Sequence, residues 1–258
     1  MTELPLIHPD RRAARLDLPK AWHYLQRLKR NKEKTSEIFH VFEALPWFGC
    51  TKAACAFLQT PRGRQLYAQE PYLPDILDDH AALRRYPPGT FAHDYCDYME
   101  SEGLSAAGLV AEYEDWRGGR PRLDDQVEWY VDRLRDTHDL LHILTGFGRD
   151  ALGEECVAGF VYHQRRSIGH IFLAYVGGMV LKRHVKGRAP VMRAVYEARQ
   201  IGKHCSRICE ESILELLAMP IEAVRARLGI RPAYYYHEVH RVWREEEGLQ
   251  HNEVFAVG

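Results

Sequence analysis

Two histidines four residues apart, His138 and His142, with Asp139 between them and Glu154 further along, are the side chains of this sequence best suited to hold a metal ion. The pattern reads H-D-x-x-H, then eleven residues, then E. On a helix, positions i and i+4 lie one turn apart on the same face, which is the spacing two imidazoles need to grip one cation. Two neutral imidazoles with one or two carboxylates leave coordination positions open for a substrate oxygen or for water, which is the donor set of a Lewis-acid site. Asp139 points about 100° round the helix from His138, so it either ligates or orients a ligating histidine. A buried helix whose histidines bond to their neighbours would give the same H-D-x-x-H, and Glu154 is what favours a metal.

The elements that must position these residues can be read outward from them. Leu140, Leu141, Ile143 and Leu144 make the histidine helix apolar enough to bury, and Thr145-Gly146-Phe147-Gly148 ends it, because glycine accepts the left-handed conformation found after helix ends. A second helix is expected from Asp150, so that a tight hairpin brings Glu154, in its first turn, close to His142. Upstream, Asp124 is the expected N-cap of the central helix, with Val127, Tyr130, Val131, Leu134, His138, Leu141 and His142 as its buried stripe. Downstream, residues 151–163 and 168–185 form two apolar helices, or one kinked at Ser167-Ile168-Gly169; their apolar runs line a tunnel for a lipid tail or are ordinary core. Pro190 opens a helix reaching towards Leu217, with Cys205 and Cys209 on one face, and Pro220 to Leu228 makes a short helix closed by Gly229. Near the start, nine Lys and Arg residues between 11 and 34, interleaved with Leu16, Leu18, Trp22, Leu25 and Leu28, have the spacing of an amphipathic basic helix, either a solvated outer face or one that rests on an anionic bilayer.

The 258 residues are 46% hydrophobic and 28% charged, enough to bury a sizeable core, and few segments alternate with period two, so the expected architecture is an all-α, single-domain helical bundle with the metal site on a helical hairpin. A formal net charge of -1 argues against a nucleic-acid partner. Six cysteines without a C-x-x-C pair fit neither a zinc ribbon nor a disulfide framework, and point to free thiols in a reducing cytosol. The first ten residues lack a signal-peptide pattern, and the longest apolar run, 168–181, falls short of the roughly 20 residues of a membrane span. The expectation is a soluble protein or one lying on a membrane surface.

Taken together, several stretches resemble the coenzyme Q (ubiquinone) biosynthesis protein Coq4 family. Its signature H-D-x-x-H-x11-E is met by His138, Asp139, His142 and Glu154. Tyr86-Pro87-Pro88-Gly89-Thr90-Phe91 is similar to the family's L-P-x-G-T stretch, and Glu215 to Arg225 is similar to its closing P-L-E-E-x-R segment. Ala92 stands where the family usually has glycine, Leu214 where it has tryptophan, and Asp136-Thr137 where it has Glu-Cys or Glu-Val. The likeness spans about 38–230, dividing the chain into a basic helical extension over 1–34, a Coq4-like helical domain over 35–231 and an aromatic, charged tail over 232–258.

The resemblance implies an all-helical bacterial protein, cytoplasmic and peripheral to the inner face of the membrane, that binds a prenylated aromatic quinone precursor alongside other ubiquinone-biosynthesis proteins, with a homodimer left open. It implies all four signature residues as metal ligands, zinc as the metal most often assigned, with iron, manganese and magnesium open, and a carbon–carbon lyase reaction: oxidative loss of the carboxylate of a 4-hydroxy-3-methoxy-5-polyprenylbenzoate. The rival from another class is a prenyl-lipid-binding organiser in which the metal only staples the hairpin. A third reading, an H-D phosphohydrolase, would enlist His80 or His93 with Asp150 and leave Glu154 idle. A di-iron bundle would need a second acid-x-x-His besides Asp139-x-x-His142.

Overall fold

The structure is a computed structural model describing residues 4–30, 35–184 and 187–247. Helices α1 (Leu18–Arg30), α2 (Thr35–Ala44), α3 (Cys50–Leu58), α4 (Pro61–Gln69), α5 (Leu73–Leu77) and α6 (His80–Leu83) open the chain. Helices α7 (Phe91–Glu102), α8 (Ala106–Arg117), α9 (Gln126–Asp136), α10 (His138–Thr145) and α11 (Ala151–Arg165) follow. Then come α12 (Ile168–His184), α13 (Val191–His204), a 3-10 turn at Ile208–Glu210, α14 (Ile213–Leu217), α15 (Ile221–Leu228) and α16 (Tyr234–Glu247). Among the described residues the only extended pairing is one isolated bridge between Thr90 and Pro220. The all-α, single-domain expectation holds, and the residues group into two compact units: one runs up to His138 and adds Cys209–Ile221, the other holds Asp139–Ile208 and the residues from Glu222 on. The division falls after the first residue of α10, whose helix runs on unbroken.

Several helix bounds differ from those read in the sequence. The basic stretch is not helical from residue 11. Asp17 accepts from the Lys20 amide (2.9 Å) and Pro19 follows, which sets the start of α1 at Leu18. Arg11 instead forks onto Asp125 at 2.6 Å and reaches Glu128 at 2.8 Å. Lys32 and Lys34 lie outside the described residues. The N-cap of α9 is Asp125, one residue beyond Asp124, because its carboxylate accepts from the Glu128 amide at 2.8 Å.

In the first unit α9 is the buried axis, packing Val127, Trp129, Tyr130 and Leu134 against Ala54, Phe57, Leu58, Leu66 and Cys209. It also buries Asp132, Arg133, Arg135 and Asp136, so its apolar stripe is narrower than expected, with Val131 and His138 only half-buried. Arg133, 1% exposed, meets Glu70 at 2.9 Å and donates to the carbonyls of Cys209 (3.0 Å) and Glu211 (2.8 Å). Glu70 also accepts from the Ser212 hydroxyl and the Ile213 amide. A buried guanidinium is tolerable only when paired and hydrogen-bonded in this way. The central helix is not continuous: at Thr137 the backbone turns to φ -85°, ψ 2°, while the hydroxyl bonds back to the Arg133 carbonyl at 2.7 Å, separating α9 from α10.

In the second unit α11 packs against α12, α13 and α16. A side chain at Gly202 would come within 2.2 Å of the Phe160 carbonyl, so only glycine permits this approach of α13 to α11. The expected helix from Pro190 to Leu217 is broken. It leaves helical geometry at Cys205, where ψ is 139°, so Cys205 and Cys209 share no helical face. Gln164 holds this break, accepting from the Ile208 amide at 3.1 Å. All six cysteines are free thiols. The segment over 234–247, expected only as an aromatic and charged tail, is α16, with Tyr236, Val239, His240 and Trp243 turned inward.

Candidate metal site

The two helices that carry the signature are each fastened at the end that faces the turn between them. Helix α10 ends where Gly146 takes φ +74°. Its last carbonyls would lack partners, but Arg225 donates to Ile143 (3.0 Å) and Leu144 (2.9 Å). Helix α11 begins at Asp150, one carboxylate oxygen of which accepts from the amides of Leu152 (3.1 Å) and Gly153 (3.2 Å). Its other oxygen accepts from the Tyr236 hydroxyl at 2.6 Å, and that hydroxyl accepts from the Gly148 amide at 2.8 Å. His240 lies 3.3 Å from the same aspartate. The turn folds so tightly onto α11 that a Cβ at Gly153 would come within 1.9 Å of the Gly148 carbonyl oxygen.

This scaffold fixes His142 in one chemical form. Its Nδ1 lies 3.0 Å from the Phe147 carbonyl, which can only accept, so Nδ1 carries the proton and Nε2 offers its lone pair. Nε2 faces Glu154 Oε1 at 3.6 Å. Burial pushes the imidazole pKa below its usual value, against the pull of the Phe147 carbonyl and the Asp139 charge, so the ring is neutral, as a metal ligand must be. The Glu154 side chain keeps 42% of its surface open, yet it is walled by protein. That thin hydration pushes its carboxyl up to about 7, with Arg149 drawing it down and Asp150 adding to the rise. A carboxyl of this kind is reachable by a small molecule.

His138, His142 and Glu154 converge, each offering one ligand atom within 4.8 Å of the others. Asp139 is not part of this three-way group. It is half-buried one position round α10, and its charge reaches His142. The donor chemistry fits a divalent cation: two imidazoles, a carboxylate, and a backbone carbonyl that fixes the tautomer of one ring from behind.

The other residues singled out in the sequence have different occupations. His93 Nε2 lies 2.8 Å from the Tyr86 carbonyl and closes a loop. His80 pairs with Glu100 and Asp150 caps α11, so the histidine and aspartate a phosphohydrolase centre would need are not brought together with His138. The flank of α11 towards α12 is not uniformly apolar: a Cβ at Gly177 would fall 1.7 Å from the Glu155 carboxylate, whose pKa burial raises well above the usual value. The start of α11 at Asp150 was legible, but Tyr236, His240 and Arg225 as the residues that fasten the hairpin were not; of these only Arg225 carried a signal, as the end of the family-like stretch from Glu215.

Comparison with known proteins adds an independent line. The family model described as "Coenzyme Q (ubiquinone) biosynthesis protein Coq4" matches residues 47–234. A mitochondrial ubiquinone biosynthesis protein coq-4 of Neurospora crassa is 26% identical over 197 residues, covering 74% of this chain and 53% of the relative. A mitochondrial COQ4 homolog of Culex quinquefasciatus is 30% identical over 101 residues, 39% of this chain and 42% of the relative. The chain spans between about half and two thirds of the length of the curated fungal relatives it matches. A crystal structure from Nostoc punctiforme PCC 73102, provisionally described as a ubiquinone biosynthesis protein, superposes with a TM-score of 0.57 at 18% identity, covering 83% of this chain and 99% of its own, a likeness of fold.

Proposed function

The chain belongs to the coenzyme Q (ubiquinone) biosynthesis protein Coq4 family, and from that premise we propose that it is a metal-dependent enzyme removing the ring carboxylate of a prenylated hydroxybenzoate. The observation that carries this reading is the convergence of three donors: His142, with Nδ1 tied to the Phe147 carbonyl and Nε2 3.6 Å from Glu154 Oε1, and His138, each offering a ligand atom within 4.8 Å of the others. His138, His142 and Glu154 would hold the cation, with Asp139 orienting or completing the set. Zinc suits the donors, and iron, manganese and magnesium are alternatives that metal analysis distinguishes. When bound, the cation supplies Lewis acidity towards a carboxylate or phenolate oxygen.

The chain's own residues do the rest. Phe147 and Arg225 hold α10 in register, so the imidazole lone pairs stay aimed at one point. Asp150 and Tyr236 fix the turn that brings Glu154 to them. Glu154 would supply the anionic ligand of the set, opposite the two imidazoles. Replacement of the carboxyl by a hydroxyl is a two-electron oxidation of the electron-rich phenol ring; with dioxygen as the oxidant and water as a co-reactant, the products are the hydroxylated ring, carbon dioxide and hydrogen peroxide. No described helix is long and apolar enough to cross a membrane. The exposed Leu16, Leu18 and Trp22, in a stretch that also exposes Arg12 and Arg15, support action at an anionic bilayer surface, where a prenylated substrate would reside. Other proteins of the pathway are the expected partners.

The test is His142→Ala, expressed in the source organism in place of the wild type, with quinone intermediates measured by mass spectrometry. The expected result is loss of one metal equivalent and accumulation of a carboxylated ring precursor. Wild-type quinone levels would overturn the proposal. The second reading, a prenyl-lipid-binding organiser, rests on how heavily the hairpin is fastened, as a purely structural staple would be. It expects a general loss of quinone without a carboxylated intermediate.

A further inference from the structure

The first unit holds a second convergence of ligand-type side chains that the reading above leaves unused. Cys96 and Glu100 stand four apart on α7 and share a face, and His80, the first residue of α6, meets them there. One ligand atom from each lies within 4.8 Å of the others. We propose that His80, Cys96 and Glu100 form a second divalent-cation site, of nitrogen, sulfur and oxygen donors suited to zinc, that clamps the α6 turn to α7.

Three observations point the same way. First, the separations suit a tetrahedral centre. Nitrogen and oxygen ligands at about 2.0–2.1 Å from zinc sit roughly 3.3 Å from each other, and His80 Nδ1 lies 3.0 Å from Glu100 Oε1. Second, the two oxygens of Glu100 are divided between tasks. Oε2 accepts from Arg84 at 2.9 Å, and Arg84 is itself braced by Asp97 at 2.6 Å, so the carboxylate is oriented from behind while Oε1 turns to His80. Ligating carboxylates are characteristically held by an outer partner of this kind. Third, Cys96 is fully buried and unpaired with any other cysteine, yet its thiol sits beside an ionisable pair rather than in a purely apolar core. Without a cation, burial pushes the Cys96 thiol above its usual pKa, with Arg84 opposing. A bound divalent ion would supply the positive charge that a thiolate needs there. The His80 ring is steadied edge-on by Tyr95, with centroids 6.0 Å apart. The Glu100 side chain is 53% exposed, so the site has an open edge through which the ion enters and where water completes the coordination.

A hydrogen bond between His80 and Glu100, with Cys96 as mere packing, is the alternative, and cobalt(II) separates the two. The probe is cobalt(II) alone, titrated into the full-length chain carrying His142→Ala, so that the α10–α11 centre is removed and failure of either proposal is seen separately. The expected result is one cobalt per chain, with a thiolate-to-cobalt charge-transfer band in the near ultraviolet and tetrahedral visible bands. Cys96→Ser should abolish the charge-transfer band. His80→Gln and Glu100→Gln, both at partly exposed positions that leave the fold intact if Cys96→Ser does not, should each weaken cobalt binding at least about tenfold, the scale on which even outer partners act. Absence of the charge-transfer band in the folded protein, or its survival unchanged in His80→Gln and Glu100→Gln, would overturn the site.

Discussion

Helices α9 and α10 follow one another with only Thr137 between them, and they bury polar side chains on opposite principles. In α9 every buried charge meets an opposite one: Arg133 on Glu70, Arg135 on Asp132 (2.9 Å) and on Asp136 (2.7 Å), and Asp132 also on Arg122. Burial still pushes Asp136 up to about 6 despite Arg135. The charges neutralise one another, and the one polar atom left over, Arg135 Nη2, is buried without a hydrogen-bond partner. The hairpin of α10 and α11 instead presents the neutral His142 imidazole and a Glu154 carboxyl raised to about 7, with the hydrogen bond to Phe147 on the far side of the ring from Glu154. Polar burial that neutralises itself marks architecture, and ligand-type groups converging on one point mark a candidate site.

The sharpest way to break this contrast is Arg133→Met, which strands Glu70 without a cation in the core. Denaturant unfolding should show a loss of about 3–5 kcal/mol, and a near-neutral result would mean that the α9 network is not the structural half of the comparison. Gly153→Ala comes next. Its methyl group would strike the Gly148 carbonyl, costing about 1–3 kcal/mol by overpacking, and it should strip one metal equivalent by displacing Glu154, as read by elemental analysis of folded protein. Retained metal would show that the turn is looser than its glycines suggest. Tyr236→Phe removes the hydroxyl shared by Asp150 and Gly148. Thermal unfolding should report a loss of about 1–3 kcal/mol, and calorimetric titration a roughly 10–100-fold weaker metal. Asp139→Asn should have the smallest effect: as an orienting neighbour it would lower metal affinity by no more than roughly tenfold, whereas abolished binding would make it a ligand.

The helical hairpin was legible because its determinants are local. The i, i+4 histidines, the Gly146 stop and the Asp150 cap all act within a few residues, and the structure places His142 and Glu154 close together as that spacing implies. Much of the remainder depended on partners distant in sequence or on a local bond that periodicity does not reveal. Arg11 leaves the basic segment because Asp125 and Glu128, more than a hundred residues on, accept its fork. Thr137 divides the central run because of its local backbone conformation and a bond to Arg133, where the apolar periodicity continues without a break. The residues over 234–247 show charge and aromaticity but no cap or stop signal, and their helix is recognisable only once Tyr236 and His240 have Asp150 to face. Asp139 was grouped with the ligands on resemblance, and in the structure it stands outside the three-way convergence.

The contact of Tyr236 with Asp150 and Gly148 bears on when the centre can mature during synthesis. The ribosome delivers α10 and α11 first, and the hydroxyl that locks their turn arrives only with α16. A nascent chain that ends before Tyr236 therefore has Arg225 to hold the end of α10 but lacks the hydroxyl that ties Asp150 to Gly148. Emergence of α16 completes the turn afterwards, so the spacing of His142 and Glu154 takes its final form only late in synthesis.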